Sequence, residues 1–206
     1  MKTRLYGKKA GIALLISLIV ISLAEVIYRA IALTSIAFTT SNFGEPLAFA
    51  AFATVILVLT FMGKDNVCYI CYGAWAGYFL LDQLYALPRV VSDVFRIPEN
   101  GFTFVIFSPI LHAVSMICIL AIGVLLIKYM SDGMIFNLAF NILCIVAAVS
   151  VFGCIVVNIV GVASGLPAEI VLVTFHNLYR LTMIFLLAFF AYDGAKAQLK
   201  NPNFIK

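Results

Sequence analysis

The sequence predicts an all-α, polytopic membrane helical bundle of about six transmembrane helices with both termini on the cytoplasmic side, and three observations carry that prediction. Hydrophobic residues make up 65% of the 206 positions and charged residues only 11%, against the ~25% charged share of soluble domains. The apolar residues fall in continuous blocks of ~17 to 30, long enough for membrane helices and without the alternation a membrane strand needs. Basic residues collect at alternate junctions between the blocks, as a fixed orientation in a bilayer requires. Residues 1–206 read as a single integral membrane domain.

The first span, 10–33, follows Lys2, Arg4, Lys8 and Lys9 and carries Glu25 and Arg29. A secretory signal has an apolar core of only ~7 to 15 residues, so this longer run is expected to be a retained helix. The second span, 47–63, is the shortest, and Ala48, Ala50, Ala51 and Ala53 give it small faces. The third, 68–87, begins at Cys68 and Cys71 and contains Gly73 and Gly77, a small-xxx-small pair expected to pack closely on another helix. After it, residues 88–103 interleave Val90, Val91, Val94, Phe95 and Ile97 with Arg89, Asp93 and Arg96, a pattern expected for a short amphipathic segment at the interface.

Span four, 104–128, has Pro109 just before His112, where a bend is expected. Span five, 134–163, is long enough to imply tilt or a break near Gly153 or Gly161. Span six, 168–193, contains His176, Asn177 and Arg180. No convincing repeat relates the two sets of three spans, and no second domain or low-complexity stretch is evident in the sequence.

The charge map sets the expected orientation. With the N-terminus inside, Lys64, Lys128, Lys196, Lys200 and Lys206 join the four basic residues of the tail. The opposite connections carry Arg89 and Arg96 but also Glu45, Asp93, Glu99 and Glu169. This satisfies the positive-inside rule and predicts an integral protein of the cell membrane with cytoplasmic ends. The net charge of +4 sits at helix ends rather than along one surface, so the expected partners are the lipid bilayer, a small-molecule ligand and other membrane subunits, not nucleic acid.

Ionisable residues inside spans carry the functional signal, because each costs at least ~2.5 to 3.5 kcal/mol at the bilayer centre unless paired or hydrated. At ~1.5 Å of rise per residue, Glu25, His112 and His176 lie about 12 Å from the outer ends of their spans, Asp82 about 8 Å and Arg180 about 18 Å. Glu25 with Arg29, and His176 with Arg180, are each four apart and share a helix face. The inner stretches 12–20 and 181–190 are nearly devoid of strong polarity. The pattern predicts an outward polar pocket above an apolar floor, with Glu25, Arg29, Tyr78, Asp82, His112, His176, Asn177 and Arg180 as its ligand-binding set. A purely structural alternative pairs Glu25 with Arg29 and Asp82 with Arg180. Asn158 and Gln83 add neutral polar groups within spans, while Tyr85 and Tyr179 lie near the same faces.

Several chemistries use such a pocket. A substrate-binding or transport subunit for a small polar or anionic organic solute would anchor it on Arg180 and Arg29. The span count and length suit the small membrane-embedded binding subunits of vitamin uptake systems, an architectural analogy without a shared motif. A b-type haem subunit would use His112 and His176 as axial ligands at equal depth. An accessory or sensory subunit of a membrane complex is a further alternative.

Signals for an enzyme are weaker. Cys68-Tyr69-Ile70-Cys71 resembles the C-x-x-C segment of membrane thiol oxidoreductases such as the quinone-coupled disulfide-forming and vitamin K epoxide reductase families. The resemblance covers this segment alone. Those families also need a second cysteine pair facing the oxidising side, and Cys118, Cys144 and Cys154 lie inside apolar runs as small hydrophobes. A zinc site would need two more ligands beside this pair. No serine nucleophile elbow, phosphate-binding glycine loop or H-E-x-x-H motif occurs. No catalytic residue, metal or cofactor is therefore predicted, haem b remaining the minority alternative.

Overall fold

A computed structural model describes residues 2–32, 40–63, 65–95, 107–132, 138–163 and 169–200, and all but the turn at 62–63 are helical. The six helices are α1 (Lys2–Ala32), α2 (Thr40–Phe61), α3 (Asp65–Phe95), α4 (Phe107–Asp132), α5 (Leu138–Ala163) and α6 (Glu169–Lys200), with no strand among the described residues. Five contain a stretch long and apolar enough to cross a membrane: Lys9–Ile31, Phe43–Phe61, Phe107–Leu126, Leu138–Gly161 and Ile170–Phe189. The exception is α3, whose 31 residues include Asp82, Arg89 and Asp93.

The membrane reading rests on how polarity is distributed around the helices. On α5 the exposed residues Ile145, Val149, Phe152, Val156 and Ile159 form an apolar stripe at helical spacing. Ser150, Cys154 and Asn158 are buried on the same helix. Water would favour the opposite arrangement, whereas hydrocarbon favours an apolar outside and satisfies no backbone group, which is why the segment is helical throughout. Hydroxyls accommodate to this solvent locally: Ser22 Oγ donates to the Leu18 carbonyl at 2.8 Å, Thr54 to Ala50 at 2.7 Å and Thr182 to Leu178 at 2.9 Å. Back-bonding one turn earlier leaves such side chains without need of another partner.

Breaks expected from the sequence resolve differently. Pro109 is the third residue of α4, a position whose N–H would have no intrahelical acceptor, so proline there needs no bend. Helix α5 runs unbroken through Gly153 and Gly161. Residues 88–95 do not form a separate interfacial segment but the last turns of α3, which continues past Pro88; residues 96–106 lie outside the described residues. Helix α2 ends where Gly63 adopts a left-handed φ of 68°, with Met62 N–H donating to the Val58 carbonyl at 2.9 Å and Gly63 N–H to Thr60 at 3.3 Å. Glycine takes this conformation without a Cβ penalty, which makes it a natural helix stop.

The helices fall into two compact units, residues 1–75 and 76–206. In the first, α1 packs on α2, and the start of α3 joins through Trp75, which stacks on Phe52 at 5.6 Å and tilts against Phe49 at 5.9 Å. In the second, α4 packs on α5 and α5 on α6, burying Met116, Ile119, Ile122, Ala147, Val151, Met183, Ile184, Leu186 and Leu187. Two glycines set approach distances here. A Cβ on Gly153 would lie 2.9 Å from Leu111 Cδ1, and one on Gly123 would lie 2.8 Å from both methyls of Leu80. Gly73 and Gly77 behave in the opposite way: a Cβ on either meets nothing within 4 Å, so the small-residue pair expected to be packed is open.

Candidate functional site

The second unit holds a cluster of polar side chains on α4, α5 and α6. Its centre is Arg180, 4% exposed, whose guanidinium reaches across to α4. Arg180 Nη1 donates to His112 Nδ1 at 2.9 Å and also contacts Nε2 of the same ring. A ring nitrogen that accepts from arginine presents its lone pair, so His112 meets the guanidinium as a neutral acceptor. The ring is placed by local packing: Leu111 sits against Gly153, and Ser115 Oγ donates to the His112 carbonyl at 2.7 Å. His176, one turn before Arg180 on α6, is an electrostatic neighbour of His112. Its ring lies edge-on to Tyr179, centroids 6.4 Å apart.

Helix α5 supplies the third wall. Cys154 Sγ donates to the Ser108 carbonyl of α4 at 3.5 Å and lies within electrostatic range of Arg180. Asn158 lies one turn from Cys154 along α5, about 6 Å, and Asn177 nearly one turn from Arg180 along α6, about 4.5 Å. Both are buried, at 7% and 1% exposure, and the Nδ2 group of each lacks a hydrogen-bond partner. Buried amide donors are normally bonded, to protein or to an enclosed molecule, so each of the two is an exception.

The residues expected to line the pocket divide into three groups. His112, His176, Asn177 and Arg180 are brought together. Glu25 and Arg29 belong to the first unit and pair with each other: Arg29 Nε donates to Glu25 Oε1 at 2.7 Å, and Nη2 contacts the same oxygen. Glu25 is 2% exposed. Asp82 and Tyr78 lie on the exposed part of α3, Tyr78 at 62%, where Asp82 Oδ2 accepts from Gln83 Nε2 at 3.1 Å. Contact between Leu80 and Gly123 sets α3 eleven residues along α4 from His112, about 16 Å. The structure therefore does not join Asp82 to Arg180.

Asn158 stands outside the binding set expected from the sequence, and Cys154 reads there only as a small hydrophobe. Their spacing of four on a mostly apolar helix is the signal that links them, since it puts both on one face. Elsewhere, all five cysteines are free thiols. Cys68 is buried, its Sγ 3.4 Å from Thr60 Oγ1. No group of three or more His, Cys, Asp and Glu side chains suited to a metal occurs among the described residues. Compared with protein-family models, curated proteins and solved structures, the chain matches none.

Proposed function

We propose that this chain is a membrane-embedded binding or transport subunit for a small polar or anionic organic solute, held among α4, α5 and α6 with Arg180 as the main anchor. The observation that carries the reading is the part-buried Arg180–His112 contact between α4 and α6, together with the buried amides of Asn158 on α5 and Asn177 on α6, whose Nδ2 groups lack a hydrogen-bond partner. Polar groups enclosed in an apolar surround are costly unless they are used, and a solute that satisfies them converts that cost into affinity. Beyond Arg180 the interior closes on Met183, Ile184 and Leu187 from α6 with Met116 and Ile119 from α4, a floor suited to a closed gate. Bis-histidine haem ligation is less well supported, because the ring nitrogens of His112 face a guanidinium rather than an open position.

On the same reading the protein lies in the cell membrane with both ends in the cytoplasm. That topology requires α3 to cross as well, and the distribution of Lys and Arg supports it. Single-cysteine labelling at positions 64 and 93 tests it: opposite sidedness is expected, and equal sidedness rejects the sixth crossing.

Arg180→Ala is expected to abolish solute binding while leaving a folded protein, and Arg180→Lys to restore little of it, since an ammonium cannot reproduce the planar fork of donors. Binding measured by thermal shift across anionic, zwitterionic and neutral polar solutes provides the check. A solute that binds the wild-type chain and the Arg180→Ala variant equally well rejects the assignment.

A further inference from the structure

Cys68 and Cys71 lie in the first unit, on the opening turns of α3, and the proposed solute site uses neither. We infer that the pair binds a soft monovalent cation, Cu(I), between its two sulfurs. Three residues apart on a continuous helix, the two side chains are neighbours with Cβ atoms about 5 to 6 Å apart. A disulfide needs Cβ atoms about 3.5 to 4.5 Å apart. The pair therefore cannot close on itself without unwinding α3, and both thiols are free. A metal closes the same gap. A thiolate lies about 2.3 Å from a metal such as zinc, so two on opposite sides of one cation stand about 4.6 Å apart, within reach of Cβ atoms at this spacing.

The number of ligands selects the cation. Structural zinc takes four, and no group of three or more His, Cys, Asp and Glu side chains suited to a metal occurs among the described residues. Cu(I) prefers soft sulfur ligands and is satisfied by two of them in a line. Binding releases both thiol protons, so two thiols and one cation give a bis-thiolate complex carrying one net negative charge. The surroundings of Cys68 suit that change. Thr60 Oγ1 donates its only proton to the Ile56 carbonyl at 2.7 Å, so across the 3.4 Å contact with Thr60 it is Cys68 Sγ that donates. Once that proton leaves, the Thr60 hydroxyl can turn and donate to the thiolate, as groups that orient metal ligands do. Cys68 is also the fourth residue of α3, in the first turn, where backbone N–H groups favour negative charge. Cys71 is only part-buried, and Val67 one turn before it and Ile70 beside it are exposed, which gives the cation a way in.

The test uses the full-length protein in lipid nanodiscs under anaerobic, reducing conditions. Cu(I) alone is the probe, with bathocuproine disulfonate as the competing chelator. Saturable retention of Cu(I) is expected, with Zn(II) at the same concentration washed away. Thr60→Val is expected to weaken retention about tenfold, and Cys68→Ser and Cys71→Ser each more than about 100-fold, beyond the range for losing a group bonded to a ligand. Cys144→Ala, on α5, is expected to change nothing. Should a serine variant fail to fold, the wild-type chain decides: Cu(I) is expected to protect Cys71 from maleimide, read by mass spectrometry. No retained Cu(I), wild-type retention in both serine variants, or tighter binding of Zn(II) than of Cu(I) overturns the inference. A Cys68–Cys71 disulfide formed by glutathione disulfide in the folded protein also overturns it, because the sulfurs would then meet directly.

Discussion

Arg29 and Arg180 both lie inside their units and meet opposite circumstances. Arg29 bonds to Glu25, a carboxylate one turn earlier on its own helix, so the two opposite charges meet within about 6 Å of helix. Arg180 crosses to an imidazole 68 residues away, and that partner brings no negative charge. The first arrangement neutralises a cation with a local anion. The second holds a cation through a neutral ring on another helix. A neutral local pair is the form expected of an element that stabilises; a cation positioned across helices is what the proposed solute-binding reading uses.

Mutation separates the two arginines, and the largest effect is expected at the local pair. Glu25→Ala leaves Arg29 in a mostly buried position without its carboxylate, which should cost about 3 to 5 kcal/mol. Adding Arg29→Ala should recover much of that loss, measured by reversible unfolding in mixed micelles. His112→Leu should cost less, about 1.5 to 3 kcal/mol, because a hydrogen bond to a charged group is lost rather than a neutralising charge. If Glu25→Ala and His112→Leu cost the same, and adding Arg29→Ala or Arg180→Ala recovers each equally, the Arg180 contact is as structural as the Arg29 pair and the contrast fails.

Smaller effects are expected where the helices pack. Gly153→Val should cost about 1 to 3 kcal/mol by overpacking, since the new side chain enters the space of Leu111 and pushes α4 from α5 beside His112. Weaker solute binding should accompany it. Gly73→Ala, where a Cβ meets nothing, should change stability by no more than about 0.5 kcal/mol. An equal loss from both would mean that Gly73 is packed against something.

Much of this architecture is legible in the sequence. The helices and the pairing of Glu25 with Arg29 follow from run length and i,i+4 spacing, which are local properties. His176, Asn177 and Arg180 are legible as a face for the same reason. The partnership of Asp82 with Arg180 cannot be judged in that way, because equal depth on separate helices says nothing about which faces meet. Gly153 shows the same limit from the other direction: glycine in a helix reads as a weak point, and only its neighbour Leu111 reveals it as a contact.

The sequence by itself determined that this is an all-helical, membrane-type chain with buried charge, since hydropathy and the 3.6-residue period act within one segment at a time. The tertiary structure alone decided that Arg180 meets His112, that the Nδ2 groups of Asn158 and Asn177 are buried without a partner, and that a Cβ on Gly73 or Gly77 would meet nothing within 4 Å. The physical reason is the solvent. Lipid is as apolar as the helix surfaces it covers, so burial does not select a face by hydrophobicity, and close packing of particular side chains makes that choice.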